Sequence, residues 1–157
     1  MAFADDLLEQ AQHLARREPK RPKQASLRRA ISTAYYALFH LPTTSAVANW
    51  KRVGQRAGLA RAFDHRRMRD ASDRIASRQY IGQTAVVVTR LRAVAKAFTN
   101  LQQDRHAADY DSSRRWSRSD VLDQIQLVAD AFESWKTTRR EQIAQDYLLS
   151  LLVKDRP

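Results

Sequence analysis

Hydrophobic residues recur every three or four positions along most of the chain, which is the spacing of one face of an α-helix. Residues 4–18 form the first such stretch, and Pro19 and Pro22 are expected to end it because proline cannot continue a hydrogen-bonded turn. The second stretch covers residues 24–41 and is expected to stop at Pro42. Its predicted core face consists of six residues: Leu27, Ile31, Ala34, Tyr35, Leu38 and Leu41.

Two more helices are predicted in the second half of the chain. Residues 84–104 carry a nearly heptad stripe of apolar residues, which indicates a helix buried on both sides. After a polar loop, the next helix is expected to begin at Ser117 or Ser119, since Ser117 and Asp120 have the spacing of a capping box. Unbroken to Val153 it would approach about 50 Å, so either a break near residues 137–140 or a projecting end is expected.

The middle of the chain, residues 43–77, has a weak pattern that predicts little more than one short, very basic helix near its end. Together the stretches predict a single all-α domain over residues 1–157, an up-and-down bundle of four to five helices. The tail, residues 137–157, contains the apolar sequence "DYLLSLLVK". It either packs on its own bundle or projects and contacts a partner, such as a second copy of the chain.

Composition narrows the class of protein. The 157 residues include only three glycines and four prolines, and such scarce turn residues argue against a β-sandwich or barrel. The lack of cysteine excludes disulfides, thiol catalysis and cysteine–metal sites. The N-terminal sequence has no basic region followed by an apolar run, and no apolar run is long enough to span a bilayer. A cytoplasmic protein without membrane contact is therefore expected.

The charge of the chain points to a polyanionic partner. Twenty-eight Lys and Arg against seventeen Asp and Glu give a net charge of +11. The cations are mostly arginine and concentrate in residues 16–29 and 51–78. Because the planar arginine fork suits phosphate, RNA or another polyanion is the expected ligand. A solvated helix surface, or a face for an acidic protein, would carry similar charges.

The stretch "LRRAISTAYYALFH", residues 27–40, places four polar or aromatic residues on one strip beside the predicted core face. Arg29, Ser32, Tyr36 and His40 follow one another at helical steps of three and four. One interpretation is that Tyr36 is half-buried and His40 is a cation near the helix C-terminus. The other is that a binding site lies against this strip.

The same stretch resembles the signature helix of the HEPN domain superfamily, in which R-x-A-[IV]-S-x-A-Y-Y-A-x-F-H is frequent. A second element, "LQQDRHAADYD" at residues 101–111, is similar to the R-x-x-A-D-Y-[DS] element of small stand-alone bacterial HEPN proteins. The resemblance implies a bundle of four to five helices that forms a homodimer. It also implies an RNase-like member of a toxin–antitoxin or defence module, with a nucleotidyltransferase-type or other antitoxin as partner.

In catalytic members of that superfamily an arginine and a histidine, four to six residues apart, meet their dimer mates and cut RNA without a metal. Here no histidine follows Arg105 at that spacing, and His106 is its immediate neighbour. The pair formed by Arg61 and His65 has too short a gap and lies in the wrong region. The residues at the expected positions after Arg105 are Tyr110, Asp111 and Ser112.

The candidate residues follow from the two elements. The catalytic candidates are Arg105, His106 and Tyr110. The binding candidates are Arg29, Ser32, Tyr36, His40 and Asp109. Neither a metal nor a cofactor is expected, because His106, Asp109 and Asp111 fit no known ligand spacing and no phosphate-binding or dinucleotide motif occurs.

Two interpretations of the second element stay open. As a lock, it follows the helix end, Asp109 bonds Arg105 or Arg29, and Tyr110 caps the bundle with its ring inside. As a site, the same groups hold phosphate, and a histidine such as His106 or His40 supplies acid or base. The corresponding functions are an RNA-binding protein, with metal-free cleavage unresolved, and a non-catalytic interaction domain that docks an acidic protein through its basic faces.

Overall fold

The computed structural model of the chain describes residues 2–153, and within that range it is helical, without strands. The predicted all-α bundle is confirmed, with seven α-helices in the described range where four to five were expected. A 3-10 turn at Val53–Gln55 precedes the third helix. The helices are α1 (Ala2–Ala15), α2 (Gln24–Asn49), α3 (Arg56–Ala60), α4 (His65–Ser77), α5 (Ala85–Tyr110), α6 (Arg118–Thr138) and α7 (Gln142–Leu152).

Helix α2 lies at the centre of the bundle, with α1, α5 and α6 packed against it. Every residue of its predicted core face is buried. Tyr35 of α2 meets Phe98 of α5, with ring centroids 5.6 Å apart, and the indole of Trp135 from α6 donates to the Ser45 hydroxyl at 2.9 Å. The apolar faces of these helices therefore meet in one core, as the helical spacing predicted.

The expectation that the second helix stops at Pro42 is wrong, because α2 continues to Asn49. Proline removes one backbone hydrogen bond, which costs stability in an isolated helix. Here the residues beyond it contribute tertiary contacts, since Ala46 and Val47 pack on the core and Ser45 accepts the indole bond. Packing of the following turn therefore outweighs the local preference of the proline.

The tail packs back on the bundle. Helix α6 ends at Thr138 within the expected break, and α7 lies against α4. The Tyr147 side chain is fully buried, and its hydroxyl shares a 2.6 Å hydrogen bond with that of Ser72 in α4. The projecting arrangement is therefore not the one seen for residues 142–152. Residues 154–157 of the predicted tail lie outside the described residues. No helix in the described range is long and apolar enough to cross a membrane.

Helix α5 extends through the second sequence element, so residues 105–110 are its final turns and not a loop. The prediction that Arg105 follows the helix end is therefore wrong. The carbonyl groups that end a helix lack partners within it. Arg28 of α2 bonds this end, since its guanidinium donates to the carbonyl oxygens of Ala107 and Ala108 in the last turn and of Asp111 and Arg114 just beyond it. This contact locks the start of α2 to the end of α5.

Replacing Arg28 with methionine should lower the free energy of unfolding by about 2–3 kcal/mol, because charged hydrogen bonds to the end of α5 are lost. Urea denaturation measures this change. Arg29→Met is the matched control, since Arg29 is exposed and makes no polar contact among the described residues. It should change the unfolding free energy by less than about 0.5 kcal/mol. Equal losses in the two variants would contradict the lock.

Candidate functional site

Antiparallel packing of α2 on α5 brings the two sequence elements into contact. The guanidinium carbon of Arg105 lies 5.1 Å from the ring centroid of Tyr35 and 5.9 Å from that of Tyr36, within the range of cation–π attraction. The Ser32 hydroxyl donates to the Asp109 carboxylate. That carboxylate also lies 3.6 Å from Nη1 of Arg105. Three of the predicted binding residues therefore surround the predicted central arginine.

His65, a histidine outside the predicted candidate residues, completes this group. His65 is the first residue of α4, and its Nδ1 shares a 2.5 Å hydrogen bond with the Tyr35 hydroxyl. The His65 ring stacks on Phe39 with centroids 4.4 Å apart and meets the edge of Tyr36 at 6.1 Å. We call the following six residues the Arg105 cluster: Ser32, Tyr35, Tyr36, His65, Arg105 and Asp109.

The short, very basic helix predicted near the end of residues 43–77 is confirmed as α4, and His65 lies at its start. Asp64 precedes the histidine and caps α4, since its carboxylate accepts from the backbone N–H of Arg67 at 2.9 Å. The buried ring of Phe63 anchors the turn before it. The capping aspartate, three residues before Arg67, is therefore the local signal in the sequence for the start of α4, where His65 lies. This signal does not reveal which neighbouring helix the histidine faces.

Two polar atoms of this region are buried without a hydrogen-bond partner among the described residues. They are Nε of Arg105 and Oε1 of Gln102. The amide nitrogen of Gln102 donates to the His65 carbonyl at 3.1 Å, which ties α5 to the first turn of α4. The Arg105 side chain is 17% exposed, so its guanidinium is held by its neighbours and still reaches the surface. An unsatisfied buried donor costs free energy that a bound acceptor would recover.

The protonation states of the cluster follow from burial. Burial lowers the pKa of the His65 imidazole below its ordinary value of 6.5, and the Arg105 charge lowers it further, whereas Asp64 acts in the opposite direction. Burial also raises the pKa of the Tyr35 hydroxyl far above 10. Near neutral pH a neutral imidazole and a protonated phenol therefore lie beside a permanent cation. Such a histidine can accept a proton from a ligand.

His40 and Arg29 lie outside the contacts that hold Arg105. His40 contacts Phe3 and Phe39, with ring centroids 4.8 and 5.3 Å away, and burial lowers its pKa. The interpretation of His40 as a cation at the helix C-terminus is wrong, because α2 continues beyond it. Arg29 points to solvent on the helix position next to Arg28. It is Arg28, and not Arg29, that bonds the second element.

His106 and Tyr110 lie on the outer face of α5. Both are exposed, and their rings contact each other with centroids 5.0 Å apart. The expectation that the Tyr110 ring caps the bundle from inside is wrong, since Tyr110 is 71% exposed. Helical geometry explains the difference, because a residue five positions after Arg105 lies well over 100° around the helix from it.

The Arg105 cluster adjoins a strongly basic end of the bundle. Arg118 donates to the carbonyls of Ala15, Glu18 and Pro19, so the α1–α2 connection lies beside the start of α6. Exposed cations of the α1–α2 connection therefore lie near the connection between α5 and α6. We call the following six exposed residues the cationic end: Arg16, Arg17, Lys20, Arg21, Lys23 and Arg115. A cleft of about 380 Å³ opens there, and Asp109 of the cluster forms part of its wall. Within residues 2–153 no three side chains converge in a way that could hold a metal ion.

The stability of the protein should fall on acidification through the lowered pKa of His65. Between that pKa and 6.5 the unfolded chain binds more protons than the folded chain, so the free energy of unfolding rises with pH in this window. Urea denaturation at several pH values measures the slope. His65→Gln should flatten it in part, and adding His40→Gln should flatten it further, because burial lowers both pKa values. An unchanged slope in His65→Gln would contradict the burial of a neutral imidazole.

Comparisons with known proteins add no family to this geometry. Protein-family models, curated proteins and solved structures give no match for this chain. The HEPN resemblance therefore stays a prediction that rests on the two sequence elements, and function has to be inferred from the residues and their contacts.

Proposed function

We propose that this chain is an HEPN-like protein directed at nucleic acid, which binds RNA at the Arg105 cluster and the adjoining cationic end. The observation that carries the proposal is the set of contacts around the Arg105 guanidinium, which leaves part of it without a polar partner. Its guanidinium lies against the rings of Tyr35 and Tyr36, has one carboxylate neighbour at 3.6 Å, and keeps a buried Nε without a partner. A phosphate group is the ligand whose geometry matches an arginine fork.

The electrostatics of the chain support a polyanion. The net charge of +11 gives a long-range attraction for RNA, and Arg115 of the cationic end lines the cleft beside Asp109. RNA would then meet basic side chains first and the partly buried Arg105 second. Affinity from such contacts depends steeply on salt, because each neutralised phosphate releases counterions.

The biological setting comes from the resemblance alone. Small stand-alone HEPN proteins form homodimers and belong to toxin–antitoxin or defence modules. On that ground we infer a homodimer in the cytoplasm whose partner is a nucleotidyltransferase-type or other antitoxin protein. The partner would cover the basic surface and so restrain RNA binding.

The main alternative is a non-catalytic domain that docks an acidic protein. The contacts of Ser32 and Arg105 with Asp109 favour it, since they join α2 to α5 whether or not a ligand binds. The bond between Arg28 and the end of α5 already supplies a strong lock, however. Because Arg28 already joins α2 to α5, Arg105 is available to bind a ligand.

Arg105→Met should weaken binding of single-stranded RNA about ten- to a hundredfold, because a charge-assisted contact to phosphate is lost. The slope of logarithmic affinity against logarithmic salt should decrease by about 0.7. Arg105→Lys should restore the slope without restoring full affinity, since lysine keeps the charge and loses the fork. Filter binding or fluorescence anisotropy over a salt series measures both quantities.

Asp109→Asn is the control for this experiment. It removes the carboxylate that faces Arg105 and keeps an oxygen that can accept from Ser32. If Arg105 binds phosphate, this variant should bind RNA at least as tightly as the wild type. Loss of RNA binding only in proportion to loss of folded protein, in both variants, would favour the interaction domain.

Metal-free RNA cleavage is a second candidate function, and His65 is the observation that favours it. In this reaction a base removes the 2′-hydroxyl proton, the 2′-oxygen attacks phosphorus, and the bond from phosphorus to the 5′-oxygen breaks. The leaving oxygen takes a proton, which gives a 2′,3′-cyclic phosphate and a free 5′-hydroxyl. Neutral His65 suits the first proton transfer, and Arg105 suits the charge on the phosphorane.

Cleavage predicts products in the presence of EDTA, measured on a denaturing gel with end-labelled RNA. His65→Gln should lower the rate by about a hundredfold or more, as expected for loss of a general base. His13→Gln is the matched control, because His13 is exposed on α1 and lies outside the cluster. RNA that binds in EDTA but stays intact would exclude cleavage and leave the binding function standing.

A further inference from the structure

The end of α2 presents a tryptophan to solvent. Trp50 is 48% exposed, whereas Trp116 and Trp135 are 4% and 0% exposed. A large aromatic ring at the surface loses the free energy that its burial would give. Trp50 is therefore the tryptophan of this chain whose environment a ligand can change.

Hydrogen bonds hold Trp50 in place without covering it. Its indole nitrogen donates to the side-chain oxygen of Gln55 at 3.0 Å. Arg56 donates from Nε to the Trp50 carbonyl at 3.0 Å, and its Nη2 donates to the carbonyl of Ala48 at 3.3 Å. The ring borders an open cleft of about 450 Å³, whose other lining residues include Lys51 and Arg52. A fixed ring loses little conformational entropy when a planar group stacks on it.

The segment of the chain that follows Trp50 is strongly basic. Residues 51–69 contain seven Lys and Arg, and Asp64 is their one acidic residue. Four of these cations are exposed and have neither an ion pair nor a side-chain hydrogen bond within the described range: Lys51, Arg52, Arg61 and Arg66. The segment runs from Trp50 to the first turn of α4, which holds His65. A basic segment therefore connects the tryptophan to the Arg105 cluster along the chain.

Ideal helical spacing places Tyr36 of α2 and Trp50, which directly follows α2, on the same side of the helix. Tyr36 and Trp50 are fourteen residues apart, so at 100° per residue they differ by only about 40° around the helix axis. At about 1.5 Å per residue they are separated by roughly 21 Å. An extended strand of several nucleotides could contact both rings, whereas a mononucleotide could contact only one.

We propose that Trp50 is a stacking platform for a base of single-stranded RNA whose phosphates follow residues 51–66 toward the Arg105 cluster. This inference rests on the proposed function and specifies its substrate class. A flat aromatic ring with unpaired cations beside it is the arrangement by which proteins hold single strands without reading sequence. An acidic protein would use the cations, but its carboxylates would not stack on the ring as a nucleic-acid base does. Paired bases in a duplex offer no open face within the helix.

The test uses the intrinsic fluorescence of Trp50 in the full chain. Oligouridylate should quench it and shift its emission, and a duplex RNA of the same length should not. Trp50→Ala should abolish the quenching and weaken oligouridylate binding about 5- to 150-fold, as expected for one stacked base. Trp50→Phe should retain most of the affinity without the fluorescence change. Val53→Ala, at an exposed apolar residue of the same segment, is the control and should bind normally.

The outcomes separate this inference from the function on which it rests. Unchanged oligouridylate affinity in Trp50→Ala, together with loss in Arg105→Met, would overturn the platform and leave RNA binding intact. Equal binding of duplex RNA, or quenching by polyglutamate as strong as by oligouridylate, would also overturn it. No RNA binding by the wild-type chain at low salt would overturn both.

Discussion

The antiparallel contact between α2 and α5 is the constraint on which the rest of the molecule depends. Arg28 fixes the register at one end of this contact by bonding the last carbonyls of α5. One turn further along α2, Ser32 reaches Asp109, and the next turn brings Tyr35 beneath Arg105. A shift of one residue along either helix would rotate these groups apart by about 100°. The register therefore positions the core and the candidate site together.

Because α2 and α5 form both the core and the candidate site, the site contains groups whose structural and binding roles compete. Asp109 offsets part of the Arg105 charge in the free protein, and a phosphate would have to share or displace that carboxylate. The exchange is feasible because the ion pair is loose at 3.6 Å and partly exposed, and such pairs contribute little to stability. Arg28, with carbonyl partners from four residues, has no comparable freedom. Arg28 of α2 therefore holds the two helices together, and Arg105 of α5 remains available for binding.

The parts of the fold that could be predicted from sequence are those set by local periodicity. The core face of α2 and the cap at Ser117, which accepts from the Asp120 N–H, follow from spacing alone. Spacing does not tell which of two adjacent arginines faces a neighbouring helix. Of the two partners predicted for Asp109, Arg105 lies beside it and Arg29 does not, and it is Arg28 that bonds the end of α5. The extension of α2 past Pro42 also depends on contacts with α6 that lie far away in the sequence.

His65 shows why the site was the hardest part to predict. The histidine belongs to α4, which has few apolar residues, and its hydrogen-bond partners lie thirty or more positions away. Its location depends on a chain of non-local contacts, since α4 packs on α5 through one side and on α7 through another. The bond between Ser72 and Tyr147 holds α7 there, and Arg67 donates to the Leu152 carbonyl at 2.9 Å. The tail that the sequence left undecided therefore holds the histidine helix in place together with α5, and the integrity of the site depends partly on residues that never touch it.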